Sequence, residues 1–335
     1  MGRREEVVAA GLRPAATEAR ARAGFFFAAL ALLCLGGCVS LPQSEALRAA
    51  PPADLPQRVE LTQVPFHPQE DFLCGPATLA TVFNAAGVPA TVESVTPLVY
   101  LPGREGSLQA EMLGATRRSG LVAYPLAPEL ESVLREVAAG TPVIVLLDFA
   151  FRFMPIWHYA VVVGYDLERE KIILRTGPLE RQEFRLGFFE YLWQDGGRWS
   201  MIALPPGRVP ATAREQEFAA AVAALEQAGH PSEARETYRA LLQRWPTNLI
   251  GLIGLGNVEY ALKDIPASER AFRRASEAHP QSAVALNNLA NVLATLGRLA
   301  DAEAAARAAV ALEGPTLPEA RKTLDAILAL RAAPR

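Results

Sequence analysis

From about Glu215 to Leu312 the chain repeats itself every 34 residues, and a fixed period of that length dictates architecture before any single residue does. Pro246 and Pro280 are one period apart. Tyr238, Phe272 and Ala306 mark successive units, as do Ala234, Ser268 and Ala302. Gly229, Lys263 and Gly297 fall where each unit must turn. A unit this short cannot bury an apolar face alone, so it must stack on its neighbour. Small residues at Gly256/Ala290 and Ala234/Ala302 let paired helices approach, and Tyr238 and Phe272 fill the space between units. An all-α solenoid of about three units is expected over residues 209–335, with Pro318 to Leu330 as a capping helix.

The second unit carries Leu252, Leu255, Gly256, Tyr260, Phe272, Ala275 and Pro280. This pattern resembles the tetratricopeptide repeat. The resemblance implies a concave groove that takes a protein partner. His230 and His279 fall at a turn and a helix end, where surface placement is expected.

The other end of the chain reads as an address. Arg20 and Arg22 precede the apolar stretch Gly24 to Leu35, which is too short to span a bilayer comfortably. It runs into Leu35-Gly36-Gly37-Cys38, which resembles a bacterial lipobox. That resemblance implies a lipoprotein signal peptide over residues 1–37, acylation of Cys38, and attachment to a membrane through the lipid. Val39 rather than Asp follows, so the expected place is the cell envelope, on the outer membrane facing the periplasm. Residues 38–58 are rich in Pro and Ala and read as a tether. With Cys34 removed and Cys38 acylated, Cys74 is the one thiol left in the mature chain. Charge narrows the partners further. With 33 Lys+Arg against 36 Asp+Glu, the formal charge is −3, which argues against a nucleic-acid groove. The 4 His and 3 Cys are not clustered at metal-ligand spacings, so neither a metal nor a cofactor is expected.

The chemistry falls to residues 59–208. Helices are expected at Gly75 to Ala86, Ser107 to Ser119 and Ala127 to Ala139; strands are expected at Val59–Val64, Pro142–Phe149, Tyr159–Tyr165, Lys171–Arg175 and Trp199–Leu204. Helices followed by an antiparallel sheet make an α+β domain. Cys74 immediately precedes its helix, where free N–H groups and positive potential favour a thiolate. A thiol nucleophile needs a base from elsewhere in the fold. The repeats claim His230 and His279, which leaves His158, at the start of His158-Tyr-Ala-Val-Val-Val-Gly164-Tyr165-Asp166, and His67, expected at a strand end near the site.

Gln69…Cys74-Gly75-Pro76-Ala77 followed by that histidine strand resembles the bacteriocin-processing (double-glycine leader) cysteine peptidases and their stand-alone relatives, of papain-like fold. The resemblance implies Cys74 as nucleophile, His158 as base, and Gln69 as side-chain donor to an oxyanion hole shared with the Cys74 N–H. It further implies a peptide or protein substrate. One departure stands out. The relatives carry an Asp after the histidine hairpin to orient the imidazole, whereas here Thr176 occupies the approximate place; Asp166 and Asp148 are other candidates. Three functions therefore compete: an envelope-anchored cysteine peptidase, a peptide-binding scaffold of the same fold with weak or no catalysis, and an acyl transferase acting through the same thioester.

Overall fold

The computed structural model describes residues 41–70, 72–149 and 156–332. Residues 1–37, Cys38 and most of the Phe149 to Ile156 stretch lie outside the described residues. The chain begins with α1 (Pro42–Ala49) and β1 (Arg58–Glu60), then α2 (Cys74–Ala85), α3 (Val92–Val99) and α4 (Gln109–Arg118). Next come β2 (Val122–Pro125), α5 (Leu130–Ala138), β3 (Val143–Asp148), β4 (Trp157–Asp166), β5 (Lys171–Thr176), β6 (Leu179–Arg185), α6 (Leu186–Asp195) and β7 (Ser200–Leu204).

The strands form one antiparallel sheet in the order β2-β7-β3-β4-β5-β6, and β1 adds to the far end of β4. β4 is the axis of the sheet, and its pleat sorts the core into two halves. Tyr159, Val161 and Val163 face the layer of α2, α3 and α4, packing with Leu79, Phe83, Val95 and Met112. Ala160 and Val162 face the other way, toward Leu130, Val133 and Leu134 of α5 and Phe189 and Trp193 of α6. A strand buried on both faces reads as a continuous apolar run, which is why Ala160 to Val163 shows no polar alternation.

The segment expected to be a tether carries α1, and this helix is docked. The buried Glu190 carboxylate accepts the N–H groups of Gln43 and Ser44 at 3.1 and 2.7 Å, satisfying orphan donors at the helix start and favouring its positive end. Leu47 is buried beneath it. The strand β6 and helix α6 were not expected at all. β6 is exposed along most of its length and alternates weakly, so it carries little strand signal.

The repeats are seven helices: α7 (Glu215–Gln227), α8 (Pro231–Arg244), α9 (Leu249–Ala261), α10 (Ile265–Ala278), α11 (Ala283–Thr295), α12 (Leu299–Ala311) and α13 (Leu317–Ala332). The starts of α9, α10 and α11 are capped by side chains that accept backbone N–H groups: Asn248 from Gly251, Asp264 from Ala267 and Ser282 from Ala285. The solenoid is fused to the sheet domain. Phe218 and Tyr238 belong to the same apolar cluster as the β4 and α5 residues, and the Tyr124 ring meets Phe218 edge-on at 6.1 Å. The buried Glu136 carboxylate accepts the Thr212 N–H and hydroxyl at 2.8 and 2.7 Å, pinning the connection between the two parts. Both repeat histidines are part-exposed, at a turn and a helix end as expected, and each bonds a carbonyl: His230 Nε2 that of Arg118 at 3.0 Å, and His279 Nε2 that of Thr247.

Within the repeats, a Cβ built on Gly256 would stand 2.4 Å from Phe272 Cε1. Gly256→Ala would gain about 1 kcal/mol of helix propensity. The Phe272 ring is buried, so overpacking of about 1–3 kcal/mol outweighs that gain. Thermal unfolding should therefore show a lower Tm for Gly256→Ala, largely recovered when Phe272→Leu is added.

Candidate active site

Cys74 begins α2 because Pro76 suits a first helical turn and the following residues, small or apolar with two threonines, are buried on every side. Gly75 is dictated by space: a Cβ there would lie 2.3 Å from Ser107 Oγ. The Ser107 hydroxyl is buried against it without a hydrogen-bond partner, and the Tyr159 hydroxyl donates to the Ser107 carbonyl at 3.3 Å. The loop before α4 is thereby pressed onto the start of the cysteine helix. This contact was invisible in sequence, since Gly75 and Ser107 lie far apart in the chain.

Cys74, His158 and Gln69 line one cleft of about 870 Å³. The Cys74 sulfur meets the sheet at the backbone N–H of Tyr159, the residue after His158. The pleat turns Tyr159 toward α2 and points His158 toward Phe149 and Thr176. Because β4 ends here, the imidazole borders the cleft around the strand end. Its Nε2 lies 2.9 Å from Thr176 Oγ1, and the Phe149 ring packs edge-on against it at 5.4 Å. Thr176 follows the Val161–Arg175 pair, which makes it a diagonal neighbour of His158 across β4 and β5.

The two acidic alternatives are engaged elsewhere. Asp166, at the far end of β4, accepts the Arg169 N–H at 2.9 Å and closes the hairpin. Asp148 accepts the Ile156 N–H at 2.8 Å. His67 is also remote. Its Nε2 lies 2.9 Å from Asn84 Nδ2, at the end of α2 opposite Cys74, which corrects its expected position near the site. Gln69 bridges the two strands that carry His158 and Thr176: its Oε1 accepts the Gly177 N–H at 2.8 Å, and its Nε2 donates to the Tyr159 carbonyl at 3.3 Å. The second Nε2 hydrogen of Gln69 is not used by these bonds.

Electrostatically the site differs from the sequence expectation. Burial pushes the Cys74 thiol above its ordinary range, and the N–H groups of Tyr159, Gly75 and Cys74 itself pull it back only in part. Burial also pushes the His158 imidazole down from 6.5 to about 4. Taken singly, each group is thus pushed toward its neutral form. Among the described residues no group of three or more His, Cys, Asp or Glu side chains is placed to hold a metal ion.

This cleft, on an antiparallel sheet backed by helices and followed by a helical solenoid, defines a peptidase-like domain joined to a repeat region. Residues 61–194 match the Peptidase_C39 like family, and residues 218–269 and 253–318 match the tetratricopeptide repeat. The chain thus combines a C39-like peptidase domain with a tetratricopeptide region. Among solved structures, it is similar to the peptidase domain of Streptococcus ComA, a bi-functional ABC transporter involved in quorum sensing, at 21% identity over 42% of this chain and 98% of that one, with a TM-score of 0.35. A C39-like peptidase from Bacillus anthracis matches at 17% identity over 44% and 98% of the two chains, with a TM-score of 0.38. The Yersinia enterocolitica type III secretion chaperone SycD, in complex with a peptide of the translocator YopD, matches at 19% identity over 35% and 93%, with a TM-score of 0.33. No curated protein matches the chain.

The depressed imidazole has a measurable consequence. Above pH 6.5 folded and unfolded His158 are both neutral, and its contribution to stability is complete. As pH falls from 6.5 toward about 4, the unfolded chain takes up a proton that the folded chain refuses, so stability is lost. Between pH 7.5 and 5 the Tm of the wild type should fall on the order of 5 °C further than that of His158→Gln.

Proposed function

We propose that the chain is a cysteine peptidase that cuts peptide bonds through a Cys74 thiolate and a His158 imidazole. The observation that carries this reading is the convergence of Cys74, at a helix start, and His158, with Thr176 behind it, on one cleft. In the proposed reaction, His158 Nδ1 takes the thiol proton as the sulfur attacks the substrate carbonyl, since Nε2 is turned to Thr176. The developing oxyanion receives the Cys74 N–H and the free hydrogen of Gln69 Nε2. The imidazolium then returns its proton to the departing amine, and water, with His158 again as base, hydrolyses the thioester.

Thr176 takes the place of a carboxylate, and the difference is physical. A carboxylate only accepts, so it fixes the proton on Nε2 and leaves Nδ1 free as base. A hydroxyl can accept from Nε2 or donate to it, so it leaves both tautomers populated and gives the imidazolium no opposing charge. This favours a slow enzyme. It also motivates the second reading, a scaffold that binds peptide without cutting it.

The repeats, in this reading, present substrate or partner to the cleft. A cavity of about 200 Å³ between units, lined by Asn257, Tyr260, Phe272, Asn288, Asn291 and Val292, offers amides to a peptide backbone. The lipobox-like Leu35-Gly36-Gly37-Cys38 supports an envelope protein held at the outer membrane by acylated Cys38.

Cleavage of a fluorogenic peptide mixture should fall at least about 100-fold in Cys74→Ala and His158→Ala. Thr176→Asp should raise kcat about tenfold or more by fixing the tautomer and stabilising the imidazolium. Wild-type turnover that persists in Cys74→Ala rules the peptidase out. No turnover in either the wild type or Thr176→Asp favours the scaffold.

A further inference from the structure

Four of the large apolar side chains exposed on the described surface crowd one place. Phe72, Leu108, Ile156 and Trp157 all line the cleft beside Cys74. The cleft's charged lining residues are Glu70, Arg104 and Glu105. Phe72 and Trp157 hold matched positions. One lies two residues before the nucleophile candidate and the other immediately before the base candidate. Trp157 stands two residues from Tyr159 along β4, so the pleat gives them the same face, and both line the cleft.

Phe72 carries a second, independent signal. The Leu73 N–H donates to the Glu70 carbonyl at 3.1 Å, and between them Phe72 has φ +65°. A left-handed residue at that position is ordinarily Gly or Asn, and a bulky side chain there is strained. The strain is not repaid by burial, because the Phe72 side chain is 54% exposed. A strained aromatic held open to solvent at the rim of a reactive cleft is accounted for by what it contacts when the cleft is filled.

We propose that Phe72 and Trp157, supported by Leu108 and Ile156, form an apolar clamp that selects peptides with a bulky aliphatic or aromatic side chain beside the scissile bond. This rests on the peptidase reading above. An extended peptide lying across the Cys74 sulfur passes between the two rings. A large apolar side chain at that point covers the exposed faces of both, whereas a charged one loses water without gaining a partner. The clamp is a specificity device: Cys74 and His158 set the chemistry, and the two rings set which peptide reaches it.

The test uses the full chain and two peptidyl chloromethyl ketones, one ending in Leu-Phe and one in Gly-Asp, whose chloride the Cys74 sulfur displaces. Each rate is divided by that of iodoacetamide, which senses the sulfur without the clamp, and mass spectrometry locates the modified residue. The wild type should prefer the Leu-Phe probe by about tenfold or more. That preference should fall to within about threefold in Phe72→Gly and in Trp157→Ser. Phe72→Gly should not lower the Tm, since it relieves the positive φ, so a lost preference in that variant is not a folding defect. Equal wild-type rates for the two probes, or a preference that survives both substitutions, overturn the clamp alone. Iodoacetamide labelling of Cys74 that is indifferent to His158→Ala overturns the peptidase reading and the clamp with it.

Discussion

Burial disfavours the Cys74 thiolate and the His158 imidazolium when each is taken alone, and this constraint governs how the rest of the cleft must work. Two buried groups that each resist charge can still ionise together, because moving one proton from sulfur to nitrogen creates an ion pair in place of an isolated ion. The cost then falls on whatever must stabilise the pair. On the sulfur side the sheet supplies the Tyr159 N–H and the helix start supplies those of Gly75 and Cys74. On the imidazole side stand the Thr176 hydroxyl and the edge-on Phe149 ring, neither of which carries charge. The site is well provided with donors for an anion and poorly provided with acceptors for a cation.

The fold explains why the sulfur side is rigid. The loop before α4 can approach the start of α2 closely only because Gly75 leaves room for Ser107, and the Tyr159 hydroxyl holds the Ser107 carbonyl from the sheet side. Helix, loop and strand thus meet at one point beside the sulfur. The opposite face of the sheet is spent on α5, α6 and the first repeat helices, whose apolar residues run into one cluster. With Glu136 fixing Thr212 and Tyr124 fixing Arg214, the repeats are built onto the sheet domain instead of hanging from a flexible linker.

Much of this was legible in sequence where the signal is local or periodic. The 34-residue spacing exposes the repeats because each unit meets the same packing problem. The Cys-Gly-Pro start of α2 and the apolar run after His158 expose the two candidate residues because each sits at the beginning of a strongly patterned element. What was not legible depends on partners far away in the chain. Residues 42–49 look like a tether until Glu190 is placed under their first turn. His67 looks like a strand-end residue near the site until Asn84 places it at the other end of α2. The sign of the Cys74 shift was misjudged for the same reason: a helix start is visible in sequence, but the Ser107 loop and the sheet that bury it are not.

Gln69 ties these levels together. Its carbonyl holds the Gly177 N–H just after Thr176, and its amide leans on the Tyr159 carbonyl just after His158. The main-chain bond from the Gln69 N–H to the Gly177 carbonyl, at 3.0 Å, reinforces the same link. The side chain proposed to receive the oxyanion is therefore also the brace between the two strands that orient the imidazole. A movement of Thr176 that improved its hold on His158 would drag Gly177, and with it the donor side of the cleft. In the proposed mechanism, charge stabilisation on one side and tautomer control on the other are thus mechanically coupled through Gln69.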